Sequence, residues 1–77
     1  MPPIDIEALF TYHTPTPDQL VKLQAVRAKA KELGHIILAN SPPSADQSAA
    51  IRLLRECVMT VNASIVLDGK LERSASA

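Results

Sequence analysis

Aromatic side chains are scarce in this 77-residue chain, which has one tyrosine, one phenylalanine and no tryptophan although 47% of its residues are hydrophobic. Its apolar surface therefore comes from aliphatic side chains and alanine, which bury less area each than aromatic rings do. A chain of this length makes one small domain with a limited core. In such a composition, an aromatic side chain on a surface loop is a candidate for ligand contact, and Tyr12 is the clearest example.

Cysteine and glycine are also nearly absent. The single cysteine, Cys57, cannot form an intrachain disulfide, which fits a reducing compartment, and its apolar surroundings predict a small core residue. Two glycines cannot build a glycine-rich phosphate loop, and no Gly-x-Ser-x-Gly elbow is present. His13 and His35 stand 22 residues apart without a Cys-x-x-Cys motif. We predict no enzymatic activity, no metal site and no cofactor.

Charge of one sign and long apolar runs are missing as well. The formal net charge is zero at pH 7, whereas polynucleotide-binding proteins usually show a strong basic excess. No segment approaches the roughly 18 to 20 apolar residues of a membrane span. The N-terminal residues lack the basic and apolar regions of a signal peptide. The sequence therefore predicts neither a polynucleotide partner nor a membrane partner.

Two stretches have apolar residues at alternating spacings of three and four, which places each set on one face of an α-helix. These residues are Leu23, Val26, Ala30, Leu33 and Ile37 in the first stretch, and Ile51, Leu54, Val58, Val61 and Ile65 in the second. A proline-containing turn separates the stretches. We predict an all-α fold in which residues 1–19 form a short helix and a proline-rich strap, 20–71 form an antiparallel two-helix hairpin, and 72–77 form a disordered tail.

Capping signals predict where the helices begin and end. The N-terminal signals are Asp5 before a short helix Ile6 to Phe10, a capping box of Thr16 and Gln19 around Pro17, and a second box of Ser44 and Gln47. The first long helix is expected to run to about Ala39. Asp68-Gly69 is expected to close the second, because glycine favours the left-handed conformation that ends helices.

The second helix carries another row of small and apolar residues, offset by one position from the first. Its members are Ala50, Leu53, Cys57, Thr60, Ser64, Leu67 and Leu71. One row can pack on the partner helix, so the other requires a further surface. Because two helices alone bury too little apolar area to offset chain ordering, we predict a homo-oligomer.

Charged and polar residues of the helices have two interpretations each. Arg27 and Lys31 are neighbours one turn apart, and they form either a solvated basic face or an anion site, for which the planar guanidinium of arginine is well suited. Lys29 points away from Arg27, at about 200° around the helix. Asn62 lies in an apolar run, where it either fixes the register of packed helices or binds a ligand.

Several of these residues together resemble a known family. The motifs are Phe10-Thr11-Tyr12-His13 with Pro15, Pro17 and Gln19, then Arg27, Ser41-Pro42-Pro43-Ser44, Gln47-Ser48 with Ala50-Ile51, Val58-Met59, and Asn62-Ala63 with Ile65. In order and spacing they are similar to the hairpin domain of phage anti-CBASS sponges, which are related to anti-Thoeris sponges. The similarity covers about residues 9 to 66.

The resemblance implies a helical protein that assembles as a hexamer in the cytoplasm of the infected bacterium. Such proteins sequester cyclic oligonucleotide second messengers, which deprives the host effector of its activator, and they catalyse nothing. It assigns Tyr12 and Arg27 to cyclic dinucleotide binding at a protomer interface. His13, next to Tyr12, and Lys31, one turn after Arg27, are further candidates for this site, and His13 either hydrogen-bonds a base edge or shapes the strap. Lys29 and Asn62 are the candidates for a second site, for cyclic trinucleotides. Many members have a basic residue where Leu67 and Asp68 stand here, and this difference favours dinucleotides.

An alternative interpretation is a helical homo-oligomeric module or adapter that binds a protein partner. It would use the same second row of apolar residues, with Tyr12 as an interface anchor. An oligonucleotide-binding protein is a third possibility, but it requires a wider basic stripe than this chain has. Binding of a small cyclic nucleotide distinguishes the sponge from both.

Overall fold

The computed structural model describes residues 4–68 and 70. Three helices follow one another: α1 (Ile6–Leu9), α2 (Pro17–Asn40) and α3 (Ala45–Val66). The two long helices pack against each other as the predicted hairpin. The all-helical class is thus confirmed. Gly69, Leu71 and the tail 72–77, for which a helix stop, an apolar contact and disorder were predicted, lie outside the described residues.

The start of α2 is fixed by its capping box. The Thr16 hydroxyl oxygen accepts a hydrogen bond from the Gln19 N–H (3.2 Å), and the Gln19 side-chain oxygen accepts one from the Thr16 N–H (2.9 Å). Pro17 takes the first helical position, where no N–H is needed. Asp5 caps α1 in the same way by accepting from Ala8 N–H (3.2 Å). These predicted caps are confirmed, although α1 stops one residue before Phe10.

The turn between α2 and α3 departs from the prediction. Ser44 caps α3 by accepting from the Gln47 N–H (3.1 Å), but the side chain of Gln47 does not complete a capping box. It donates instead to the carbonyl and hydroxyl oxygens of Ser41, at 2.9 and 3.1 Å. Ser41 follows the end of α2 and offers a carbonyl that no helical N–H reaches, so Gln47 joins the two helix ends.

The contact between α2 and α3 buries few side chains completely. Among the described residues Leu23 alone is buried, with 8% of its surface exposed, while the other predicted contact residues are partly exposed. Leu33 is 45% exposed because it lies at the edge of the contact, about 80° around α2 from Leu23. The prediction that Cys57 is a core residue is wrong for the single chain, in which its side chain is exposed.

Gly34 lies in the contact between the long helices. A methyl group added at Gly34 would lie 3.8 Å from Cδ2 of Leu54, which is ordinary van der Waals contact. Helix packing within one chain therefore does not require glycine at this position.

The accessible surface of the whole chain is large for its mass. The chain exposes 6064 Å². A compact monomer of 8.3 kDa would expose about 4,600 Å², so the excess is about 1,500 Å².

Candidate functional site

The strap, defined as residues 11–16, connects α1 to α2 and lies against the C-terminal part of α3. An open cleft of about 350 Å³ separates the strap from that helix. Its lining comes from α1, the strap and α3: Leu9, Thr11, Tyr12, His13, Pro15, Asn62, Ala63, Val66 and Leu67. Residues before a proline favour extended backbone, so Pro15 and Pro17 stiffen the strap and with it the position of the cleft wall.

Tyr12 is the most exposed large side chain of this cleft. It is 83% exposed in the single chain, so its ring is free to stack on a flat partner. Phe10 is 80% exposed as well, but it does not line the cleft. Of the two aromatic side chains of this protein, only Tyr12 is therefore placed at a candidate binding site.

His13 anchors the strap to α1. Its Nε2 atom lies 2.7 Å from the Ala8 carbonyl oxygen. Because a carbonyl oxygen can only accept a hydrogen bond, Nε2 carries the proton and donates it to this oxygen. This hydrogen bond holds the backbone next to Tyr12 in place, so His13 has a positioning role.

Gln19 links the beginning of α2 to the end of α3. While its side-chain oxygen completes the capping box at Thr16, its amide nitrogen donates to the Ile65 carbonyl oxygen (3.0 Å). Ile65 belongs to the last turn of α3, whose carbonyl groups have no partner within the helix. Lys70 Nζ donates to the Val66 carbonyl in the same turn (2.9 Å). Gln19 thus fixes the C-terminal end of the strap relative to α3. The capping motif alone did not predict this role.

We expect Gln19→Glu to lower the free energy of unfolding by about 1 kcal/mol, the usual contribution of one hydrogen bond. Glutamate keeps an oxygen for the Thr16 N–H but has no N–H for the Ile65 carbonyl. Gln19→Ala removes both bonds and should cost about twice as much. Urea unfolding followed by circular dichroism measures the series. Equal stability of wild type and Gln19→Glu would show that the link to α3 contributes nothing.

Asn62 carries an unusual polar atom in the cleft region. Its side-chain oxygen is buried and has no hydrogen-bond partner among the described residues. An unpaired buried acceptor costs about 1 to 3 kcal/mol. A donor from outside the single chain would remove this cost, and Asn62 shares its cleft with Tyr12 and His13.

The opposite side of the hairpin carries a groove between α2 and α3. It consists of two clefts of about 430 Å³ each on consecutive turns of both helices. The first cleft is lined by Ala25, Val26, Lys29, Ala30, Leu33, Leu54, Cys57 and Val58, and the second by Ile36, Ile37, Asn40, Ser41, Pro42, Ser44, Asp46, Gln47 and Ala50. Lys29 is the only cationic residue of this lining, and its Nζ forms an ion pair with Glu32 Oε2 at 3.0 Å.

Helical phase assigns the cationic residues of α2 to these two sides. Successive residues lie about 100° apart, so Arg27 and Lys31 are about 40° and 80° from Leu23 in one direction, and Lys29 about 120° in the other. Lys29 lines the groove. Arg27 and Lys31 therefore lie on the flank away from the groove.

The same reasoning shows on which face of the hairpin the strap cleft lies. On α3, Cys57 of the groove is about 60° from Leu54 in one direction, whereas Asn62 of the strap cleft is about 80° in the other. The cleft and the groove thus occupy opposite faces of the hairpin. Arg27 and Lys31 lie on the same face of the hairpin as Tyr12 and the strap cleft, which is called the strap face below. They do not line the cleft in the single chain. Lys29 and Asn62, predicted together, lie on different faces.

Comparison with known proteins gives one match over most of the chain. The family model "Acb2/Tad1, hairpin domain" matches residues 2–66. This chain belongs to the Acb2/Tad1 hairpin-domain family. The match includes the strap, both long helices and the turn between them. No curated protein and no solved structure matches the chain.

Membership in the Acb2/Tad1 family gives the class of function. The family comprises the anti-CBASS and anti-Thoeris sponges, which are binding proteins of anti-defence rather than enzymes and whose targets are cyclic oligonucleotide signals. Within residues 4–68 and 70, no three His, Cys, Asp or Glu side chains converge as metal ligands would. No helix in that part of the chain has the length and apolarity to cross a membrane.

Proposed function

We propose that this protein binds cyclic dinucleotides at its strap face and sequesters them in the cytoplasm of the infected bacterium, so that CBASS effectors of the host lack their activator. The observation that carries this proposal is the placement of an exposed Tyr12, over a cleft, on the same face as Arg27 and Lys31. An aromatic ring and cationic groups are what a ligand with bases and phosphates requires.

The proposed site is completed by a second copy of the chain. A cyclic dinucleotide has two bases and two phosphates arranged about a near twofold axis, and an isologous dimer supplies each protein group twice with the same symmetry. Two Tyr12 rings would each stack on a base, worth roughly 1 to 3 kcal/mol per stack. Two Arg27 side chains would each bind a phosphate through charge-assisted hydrogen bonds of roughly 1.5 to 3 kcal/mol. These terms support micromolar or tighter binding after ordering costs.

The remaining residues of the predicted dinucleotide site have supporting roles in this proposal. His13 holds the strap through the Ala8 carbonyl, which lowers the ordering cost of binding. Lys31 adds a second cation one turn after Arg27. Asn62 was predicted for the second site, but it lines the same cleft as Tyr12 and would offer its unpaired oxygen to a donor of the ligand or of the neighbouring copy.

A cyclic trinucleotide site using both Lys29 and Asn62 would require more than one protomer. The two residues lie on opposite faces of one hairpin, and the ammonium group of Lys29 is already 3.0 Å from Glu32. The proposal therefore centres on dinucleotides. Assembly as a hexamer, also proposed here, would give one particle several such sites.

The protein-interaction module remains the second candidate, and the exposed apolar side chains of the hairpin favour it. These include Ile36, Leu38, Leu53 and Met59. It predicts no affinity for small nucleotides. The two functions are therefore distinguished by ligand binding alone.

The test is a thermal unfolding scan with and without cyclic dinucleotides of different base composition and linkage. A ligand that binds only the folded state stabilises it by about 2.7 kcal/mol at a hundredfold excess over Kd, which raises the unfolding temperature measurably. A linear dinucleotide of the same bases is the control, because it lacks the ring. The absence of a shift with every cyclic dinucleotide would favour the interaction module.

A further inference from the structure

The strap is held at both ends by side-chain hydrogen bonds, and the two bonds lead to different helices. Near its beginning, His13 donates to the Ala8 carbonyl oxygen of α1 (2.7 Å). At its end, the side-chain amide of Gln19 accepts from the Thr16 N–H (2.9 Å) and donates to the Ile65 carbonyl oxygen of α3 (3.0 Å). In the part of the chain that the structure describes, the bond to Ile65 is the only hydrogen bond that joins α3 to the strap or to α2.

This bridge lies next to both walls of the strap cleft. Thr16 follows Pro15, which lines the cleft on the strap side, and Ile65 precedes Val66, which lines it on the α3 side. Hydrogen bonds keep a narrow range of lengths, so an amide bonded at both ends fixes the separation of the strap from α3 at this point. Gln19 itself does not line the cleft, and any influence of its side chain on a bound molecule is therefore indirect.

We propose that Gln19 is a positioning residue of the nucleotide site, because its bridge holds Tyr12 at the separation from α3 that a bound base requires. The inference rests on the proposed function, which places a cyclic dinucleotide at the strap face. A loop that is ordered before binding lowers the entropic cost of binding, and the proposed site contains two copies of the strap. Loss of the bridge in both copies therefore weakens binding, although no group that touches the nucleotide has changed.

The chain offers a matched control for this role. Gln47, like Gln19, is half-buried, lies three residues after the N-cap of a long helix and makes two side-chain hydrogen bonds, in its case both with Ser41. It belongs to the opposite end of the hairpin, about 22 Å along α3 from Asn62 of the strap cleft. Gln19→Met and Gln47→Met each remove two hydrogen bonds without changing the net charge.

The first test is isothermal titration calorimetry of both methionine variants with cyclic di-AMP, cyclic di-GMP and cyclic di-UMP. We expect Gln19→Met to bind at least about tenfold more weakly than wild type, and Gln47→Met to stay within about twofold, although the two variants lose similar stability in urea. The difference between them separates positioning from general destabilisation. Equal affinities of Gln19→Met and wild type, or equal losses in the two variants, would overturn the proposal.

Gln19→Glu separates the bridge from the helix cap, and it also serves if Gln19→Met fails to fold. Glutamate keeps the oxygen that accepts from the Thr16 N–H but has no donor for the Ile65 carbonyl. We expect a loss of at least about tenfold relative to wild type, which persists in 1 M salt, where a Debye length of about 3 Å screens the added carboxylate from the phosphates. Wild-type affinity of Gln19→Glu would show that the cap alone matters, against the proposal.

A further measurement needs no nucleotide. Tyr12 is the only tyrosine of a chain without tryptophan, so tyrosine fluorescence reports on its ring alone. In the anisotropy decay we expect a larger nanosecond component for Gln19→Met than for wild type, and a wild-type decay for Gln47→Met, because loops move on this timescale unless they are held. An unchanged decay in Gln19→Met would overturn the proposal by itself.

These measurements distinguish failure of the inference from failure of the proposed function. If wild type binds a cyclic dinucleotide and Gln19→Met binds it equally well, only the role of Gln19 is rejected. If wild type binds no cyclic dinucleotide, the proposed function fails, and the ligand role of Gln19 fails with it.

Discussion

Tyr12→Ala is expected to weaken cyclic dinucleotide binding at least about 30-fold, because two stacks of roughly 1 to 3 kcal/mol each are lost per site. The ring is 83% exposed and makes no hydrogen bond with any residue among 4–68 and 70, so its removal should leave the free energy of unfolding nearly unchanged. Isothermal titration calorimetry with the ligand found in the thermal scans measures the effect.

Two further variants make the result for Tyr12 specific. Tyr12→Phe keeps the ring and should bind within a few-fold of wild type if stacking dominates. Phe10→Ala removes an aromatic side chain of similar exposure, 80%, that does not line the cleft, and it should bind as wild type does. Should Phe10→Ala weaken binding as strongly as Tyr12→Ala, the strap cleft is not the site.

Arg27→Gln is expected to weaken the same binding at least about 100-fold, because each site loses two charge-assisted hydrogen bonds of roughly 1.5 to 3 kcal/mol. Glutamine keeps the hydrogen-bonding capacity and much of the length but removes the charge and the planar fork. Affinity of wild type should fall as salt is added, and that of Arg27→Gln should fall less, because ions screen the phosphate contact.

Lys29→Gln is the matched control for the arginine. It removes the same charge from the same helix, but Lys29 lies on the groove flank and is paired with Glu32. Dinucleotide affinity should therefore stay within about twofold of wild type, as for surface substitutions away from a site. Equal losses in the two variants would mean that the net charge of α2, not the placement of Arg27, governs binding.

The separation of two faces would also allow a protein without net charge to hold the dianionic ligand proposed here. The formal net charge of the chain is zero, but helical phase collects Arg27 and Lys31 on one flank of α2. A particle with twofold symmetry would then double this local charge at the ligand. The protein avoids the general basic excess that would attract polynucleotides.

The sequence by itself determined the helical hairpin, most of its caps and the family. Periodicity of three and four residues and the capping box at Thr16 are local properties, since every hydrogen bond involved spans at most a few residues. The motifs of the strap and of α3 identified the sponge family for the same reason, because they can be read along the chain without knowing how its helices cross.

Only the tertiary structure decided which residues meet. The bond from Gln19 to the Ile65 carbonyl spans 46 positions, and the strap cleft brings together Tyr12 and Asn62, which lie about two thirds of the chain apart in sequence. These contacts depend on how α2 and α3 pack, which spacing does not specify. The same packing put Lys29 and Asn62 on opposite faces and left Cys57 exposed, because each helix presents only one flank to its partner.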